Sequence, residues 1–210
     1  MRHLPTIVKD DDIKLSGQFS VQQKSHRSRL GSRLLGYFCL WLTCGGLALA
    51  QETPKVPDYQ VKAVYLYNFT KFTDWPTNTF ASADAPIVIG IVGDDPFGNT
   101  LDVLIKGEIV NHHPLVIKRL NPGDDLQSCQ ILFICRNEKE HLPALLQKLK
   151  GSHVLTVGDD SGFLDQGGMV NFVLVDEKVK LEINVTAAKE AGLQISSKLL
   201  KLAVRVVKPN

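Results

Sequence analysis

The chain has 210 residues, of which 44% are hydrophobic and 22% charged, a make-up ordinary for a globular protein with room for one domain and a leader. Seven of its 24 Lys and Arg and three of its 22 Asp and Glu precede Gln51, leaving 17 basic and 19 acidic residues in 51–210. That near-neutral remainder lacks the basic excess of a nucleic-acid binder, so nucleic acid is set aside as a partner.

Arg27, Arg29 and Arg33 precede an apolar run from Leu34 to Ala50 that closes on Ala48-Leu49-Ala50. A charged region, a short apolar stretch and an A-x-A site predict a secretory signal peptide cut after Ala50. The rival reading is a membrane anchor. The run has 17 residues, at the lower limit for a span, and three glycines and Thr43 dilute it. Cys44 suits a lipoprotein poorly, because Trp41-Leu42-Thr43 before it are not small. Residues 1–24 are polar, with an acidic triplet foreign to a leader, which points to a true start nearer Val21. The organisation expected is 1–50 as extension and leader, then 51–210 as one domain exported to the periplasm.

Val61, Val64, Tyr65, Asn68, Phe69 and Phe72 fall at helical spacing, and Trp75-Pro76 ends that helix. Ile87–Val92 is an apolar, β-branched run, a buried strand. Asp95 as N-cap and Pro96 at the first helical position predict a helix over Phe97–Ile105. Strands follow at Leu115–Ile117 and Ile131–Ile134. Glu138–Leu149 carries Leu142, Leu145, Leu146 and Leu149 on one helical face, stopped by Gly151. Val154–Val157 is the next strand. Val170–Val175 and Val179–Val185 flank Asp176-Glu177-Lys178, and the second run alternates apolar and polar with period two. They predict an antiparallel hairpin at the sheet edge. Thr186–Ala191 and Ser197–Val206 close the chain as two helices. The class predicted is α/β: a mostly parallel sheet flanked by helices, with a C-terminal antiparallel hairpin and two terminal helices.

After the leader only Cys129 and Cys135 remain. The run between them reads as extended strand, which holds six residues about 20 Å apart, far beyond disulfide reach. They read as two small buried hydrophobes, or as a bridge to another chain; their spacing fits no zinc site.

Gly93-Asp94-Asp95-Pro96-Phe97-Gly98-Asn99-Thr100 has the spacing of a phosphate loop, yet Asn99 stands where lysine is needed and Pro96 removes an N–H. Nucleotide binding is therefore not expected. The loop does follow a strand, the usual place for a ligand in an α/β sheet. Asp159, Asp160 and Asp165 in the loop after Val157 do not fit a calcium motif. Phe163 there either packs inward or meets a ligand or partner. His112 and His113 are adjacent and, on a strand, would face opposite ways, so no shared metal is expected. No catalytic triad and no acid–base carboxylate pair is legible. The basic residues Lys198, Lys201, Arg205 and Lys208 recur opposite Leu199, Leu202, Ala203 and Val206. They make a solvated face, or a contact for an acidic partner or a membrane surface.

The residues Val61–Pro76 (VKAVYLYNFTKFTDWP) resemble the opening motif of the YfiR-like family, as do Ile89–Gly98, Cys129–Ile134, Gly167–Phe172, Leu181–Asn184 and Ala191–Ala203. The resemblance covers nearly all of the chain after the leader. It implies a periplasmic regulator that represses an inner-membrane diguanylate cyclase through that enzyme's periplasmic region. Such repression lowers cyclic di-GMP and biofilm formation, and an outer-membrane lipoprotein relieves it. It also implies dimers and disulfides, and it offers no catalytic residue.

Three readings follow. The first is a non-enzymatic regulator of an inner-membrane diguanylate cyclase or sensor kinase, with a homodimer and an outer-membrane lipoprotein as further partners. It requires exposed apolar surface, with Phe72 and Trp75 as the contact residues expected. The second is a small-molecule sensor with its ligand at the strand ends near Asp94, Asp95, Asp159 and Phe163. The third is a hydrolase, which requires a titratable pair with displaced pKa values in a cleft. No cofactor or metal is expected.

Overall fold

The computed structural model describes residues 58–208, within the compact unit Val56–Asn210. The readings of the leader, its cleavage after Ala50 and Cys44 fall outside the described residues.

In chain order the elements are α1 (Asp58–Phe72), β1 (Thr73–Asp74), β2 (Ile87–Val92), α2 (Thr100–Ile105), β3 (Ile109–Val110), β4 (His113–Leu120) and β5 (Ile131–Ile134). They continue with α3 (Leu142–Lys148), β6 (Leu155–Gly158), β7 (Val170–Val175), β8 (Lys178–Asn184), α4 (Val185–Glu190), β9 (Gln194–Ile195), α5 (Ser197–Leu200) and β10 (Ala203–Val207). Among the described residues, eight strands share one sheet in the order β10-β8-β7-β6-β5-β2-β4-β3, and β1 pairs with β9 apart from it. The run from β4 through β7 is parallel, as is β10 with β8; the β7–β8 and β3–β4 pairs are antiparallel. The chain is thus a mixed α/β structure around a mostly parallel sheet.

Every residue of β2, β5 and β6 is buried, as expected of parallel strands covered on both faces. On one face α1 lays Tyr65, Leu66 and Phe69 against Phe133, Phe172 and Ile91. The rings interlock there: Phe97 meets Phe133 edge-on at 4.9 Å, and Phe69 stacks on Phe172 at 6.0 Å. On the other face Leu142, Leu145 and Leu149 join Phe163 and Leu164 over Val88, Val92 and Leu132.

Four boundaries differ from the sequence reading, each for a local reason. Asp95 Oδ1 does accept the Phe97 N–H at 2.7 Å, but Gly98 at φ +55° leaves the helical path, and α2 starts only at Thr100. The helix expected from Glu138 is a 3-10 helix over Arg136–His141 and becomes α-helical at Leu142, with Pro143 in its first turn. Proline is tolerated there because its missing N–H has no helical partner to lose. The hairpin turn is two residues, Asp176 and Glu177 at φ +49° and +58°, the left-handed pair that matches strand twist. That hairpin is not at the sheet edge, because β10 lies outside β8. The last helix expected, Ser197–Val206, stops at Leu200, and Ala203–Val207 is a strand instead. Its Val-Arg-Val-Val sequence is stiff at χ1 and favours extended backbone.

Candidate functional site

The parallel strands point their carboxyl ends toward the first turn of α1. Lys62, on the buried stripe of that helix with Tyr65 and Phe69, reaches Asp159 just after β6, Nζ to Oδ2 2.6 Å. Both side chains are nearly sealed, at 5% and 1% exposure. Tyr59 donates its hydroxyl to the same Oδ2 at 2.9 Å, and its ring faces the Lys62 ammonium at 4.1 Å. Arg136 donates Nε to the Asp159 main-chain oxygen at 3.0 Å and lies 3.2 Å from Oδ1. Burial, and then the bond to Asp159, push the Tyr59 phenol up to about 12. A buried ion pair with this many hydrogen bonds fastens α1 to the β6 loop.

Three further acids of these loops, Asp160, Asp165 and Asp95, are also held by basic side chains. Asp160 pairs with Lys139 at 3.0 Å, and Asp165 with Arg205 at 3.0 Å. Asp95 binds Arg119 Nε at 2.8 Å, and the same guanidinium bonds Asp102 at 2.6 Å and the Gly98 carbonyl at 3.0 Å. That hydrogen bond to Arg119 holds the Asp102 carboxyl below its ordinary value. Asp94 is exposed, its main-chain N–H bonded to Asn137 Oδ1 at 3.1 Å. Phe163 takes the inward of its two expected placements, at 1% exposure, beneath Gly158 and Gly168. Its loop uses Gly162 and Gly167 at positive φ.

Phe72 and Trp75 sit at the other end of the sheet, because α1 carries the chain about 20 Å from Tyr59 to Phe72. Both are half-buried against the core. Trp75 donates its indole N–H to the Gln130 carbonyl at 3.3 Å. Here β1 pairs with β9, Thr73 opposite Ile195. A cleft of about 540 Å³ opens beside them, lined by Thr73, Trp75, Phe80, Ile87 and His113 among others. Phe80 stacks on His113 at 4.1 Å, and the His113 ring donates Nδ1–H to the Ala85 carbonyl at 2.6 Å. The Thr73 hydroxyl is buried in the wall without a hydrogen-bond partner. The six residues singled out in the sequence therefore divide between two ends of the sheet: Asp94, Asp95, Asp159 and Phe163 at one, Phe72 and Trp75 at the other. His112 lies in a left-handed turn at φ +74° rather than on a strand with His113.

Cys129 and Cys135 flank β5, and both are free and buried. Burial, then the nearby Asp95 and Asp159 charges, push the Cys135 thiol up to about 12, against thiolate chemistry. Sequence reasoning missed Lys62, Tyr59 and Arg136. The signal available for Lys62 was its position three residues before Tyr65 and seven before Phe69, on the stripe that faces the core.

The described residues form a mostly parallel α/β sheet with ion pairs at its strand ends, and Val103, Ile109, Val116, Leu174 and Val204 are among the large apolar side chains left exposed. The chain belongs to the YfiR/HmsC-like family, whose sequence profile matches residues 59–204. That family is one of periplasmic regulatory proteins. A conserved domain protein from Vibrio cholerae O1 biovar El Tor str. N16961, known from a crystal structure, is similar at 14% identity and a TM-score of 0.40. The match covers 57% of this chain and spans about half of that protein, 54% of its length. No curated protein matches this chain. Among the described residues, no helix is long and apolar enough to cross a membrane.

Proposed function

We propose that the chain is a periplasmic, non-enzymatic regulator that holds an inner-membrane signalling protein in check, a diguanylate cyclase being the partner the family suggests. Membership of the YfiR/HmsC-like family across residues 59–204 carries this reading. In it, the leader is cut after Ala50 and residues 51–210 act as one domain. An outer-membrane lipoprotein relieves the repression, and two copies of the chain pair. The exposed apolar residues Val103, Ile109 and Val116 near one sheet edge support a contact role, because a regulator must bind through surface that a solitary domain would cover. Phe72 and Trp75, half-buried, remain contact residues within the same proposal. The test is cellular cyclic di-GMP in a strain lacking the gene. Loss of the gene raises it, and restoration succeeds only with an exported copy. Unchanged cyclic di-GMP in both strains overturns the reading.

A second reading, a small-molecule sensor, draws on the cleft beside Trp75. The unpartnered Thr73 hydroxyl and the Phe80–His113 stack give that cleft polar and aromatic groups together. Its location differs from the strand ends near Asp94 and Asp159, where the acids other than Asp94 are bound by basic side chains. A rise in melting temperature with a metabolite pool, accompanied by a change in Trp75 fluorescence, supports it. A pool that moves neither signal removes it.

A further inference from the structure

The stretch 185–208 holds five basic residues, Lys189, Lys198, Lys201, Arg205 and Lys208, and one acid, Glu190. Arg205 is engaged by Asp165 at 3.0 Å and by Glu182 at 3.8 Å. The four lysines are exposed and have no ion-pair partner among the described residues. Solvated lysines are common singly, but two of these four, Lys189 and Lys208, line a concave feature. Between α4, β9 and α5 runs a groove of about 730 Å³, with Lys189 and Lys208 in its wall. Its floor is apolar: Leu193 is 1% exposed, and Val185, Ile195 and Leu200 lie half-buried around it.

We propose that this groove docks an acidic segment of a partner protein, anchored by an apolar side chain between Val185, Leu193 and Leu200. The proposal deepens the regulator reading and rests on it for the partner's existence. Charge complementarity sets the chemistry of the occupant, since unpaired ammonium groups around an apolar floor match carboxylates around an apolar anchor. A membrane surface is the other acidic surface available, but a bilayer is flat on this scale and leaves a concave floor unfilled. The neighbouring edge also favours a chain. Beyond β10 no strand pairs among the described residues, so its outer N–H and C=O groups are open, and Val204 beside them is 53% exposed. Extended peptides add to such edges through the main chain and place side chains in adjacent pockets.

The test uses protein purified after export, with its leader processed as the cell leaves it. The probes are a short peptide of alternating Glu and Leu, its Lys counterpart, and vesicles of phosphatidylglycerol in phosphatidylcholine. The Glu peptide is expected to bind and the Lys peptide not. Binding is expected to weaken about tenfold or more in Lys189→Glu/Lys208→Glu, and to fall as salt shortens the screening length. The milder Lys189→Gln/Lys208→Gln protein is expected to fall between, and the melting temperatures of both variants show that they fold. No binding of the Glu peptide, binding indifferent to both variants, or binding to vesicles alone overturns the proposal. In cells, the deletion strain receives either the natural gene or the Lys189→Glu/Lys208→Glu gene. If both lower cyclic di-GMP equally, the groove proposal falls and the regulator reading stands. If neither does, the regulator reading falls, and the peptide result decides the groove by itself.

Discussion

Lys62 Nζ stands 2.6 Å from Asp159 Oδ2 with both side chains almost wholly shielded from water, so one ion pair joins the first helix to a loop 97 residues later in the chain. Removing one partner leaves the other as an uncompensated buried charge. Lys62→Ala is expected to cost about 3–5 kcal/mol, read as a lowered urea midpoint at unchanged slope. The double change Lys62→Met/Asp159→Leu is expected to recover a large part of that loss. Equal loss in the single and double variants contradicts this account of the pair.

The phenols, together with the buried thiols, are expected to shape the alkaline limb of stability. Residues 51–210 contain three tyrosines, Tyr59, Tyr65 and Tyr67, and burial raises all three above the ordinary value of 10.0. The unfolded phenol ionises first, so the stabilising contribution is whole below pH 10 and is lost as pH climbs toward the raised folded values. For Tyr59 that window runs from 10.0 to about 12. Phenolate absorbance is expected to appear together with loss of the circular dichroism signal. Three phenols titrating near 10 in a protein that is still folded refute this.

The thiols are expected to be silent in the native state. Cys129 and Cys135 are buried, and burial lifts both thiols above their ordinary value. A thiol-specific dye is expected to label neither until denaturant is added, and a non-reducing gel is expected to show no linked dimer. Rapid native labelling means that one of them reaches solvent.

Gly158 is pressed against the Phe163 ring: a Cβ there meets ring carbons at 2.5 Å. Gly158→Ala therefore forces the ring or strand to move and is expected to cost about 1–3 kcal/mol, measured by thermal unfolding. Gly123→Ala, where a Cβ meets nothing within 4 Å, serves as the control and is expected to be near neutral.

The strand at Ala203–Val207 separates two accounts of the chain's last segment. A ladder with β8 is expected to slow amide exchange of the residues bonded to Leu181–Asn184, while the outer amides of β10 exchange freely. A helical period in the protection pattern restores the reading made from the sequence.

What was legible in the sequence was the buried centre. Ile87–Val92 and Ile131–Ile134 are continuous apolar runs, and they are strands at those bounds. The segment after Ser197 was misread because Leu199, Leu202, Ala203 and Val206 fit a helical stripe, while β-branching at Val204, Val206 and Val207 argued the other way. The candidate sites were less legible. Asp159 was chosen as a loop acid at a strand end, yet its surroundings depend on Lys62 and Tyr59, about a hundred residues earlier. Phe72 and Trp75 lie at the end of α1, half-buried against the core. Their distance from Asp94 and Asp95 follows from the length of that helix lying across the sheet, which period and propensity do not report.

The small β1–β9 ladder has a consequence for folding. Thr73 waits for Ile195, and the Phe72 carbonyl waits for the Ser196 N–H at 2.9 Å. These partners lie near opposite ends of the domain's chain, so the junction beside Trp75 closes only when residues 194–196 are available to it, and in an exported chain that is after the whole domain has crossed the membrane. Loss of residues 194–210 therefore removes the partner of the Thr73 strand as well as β10, and leaves the end of α1 uncovered beside Trp75.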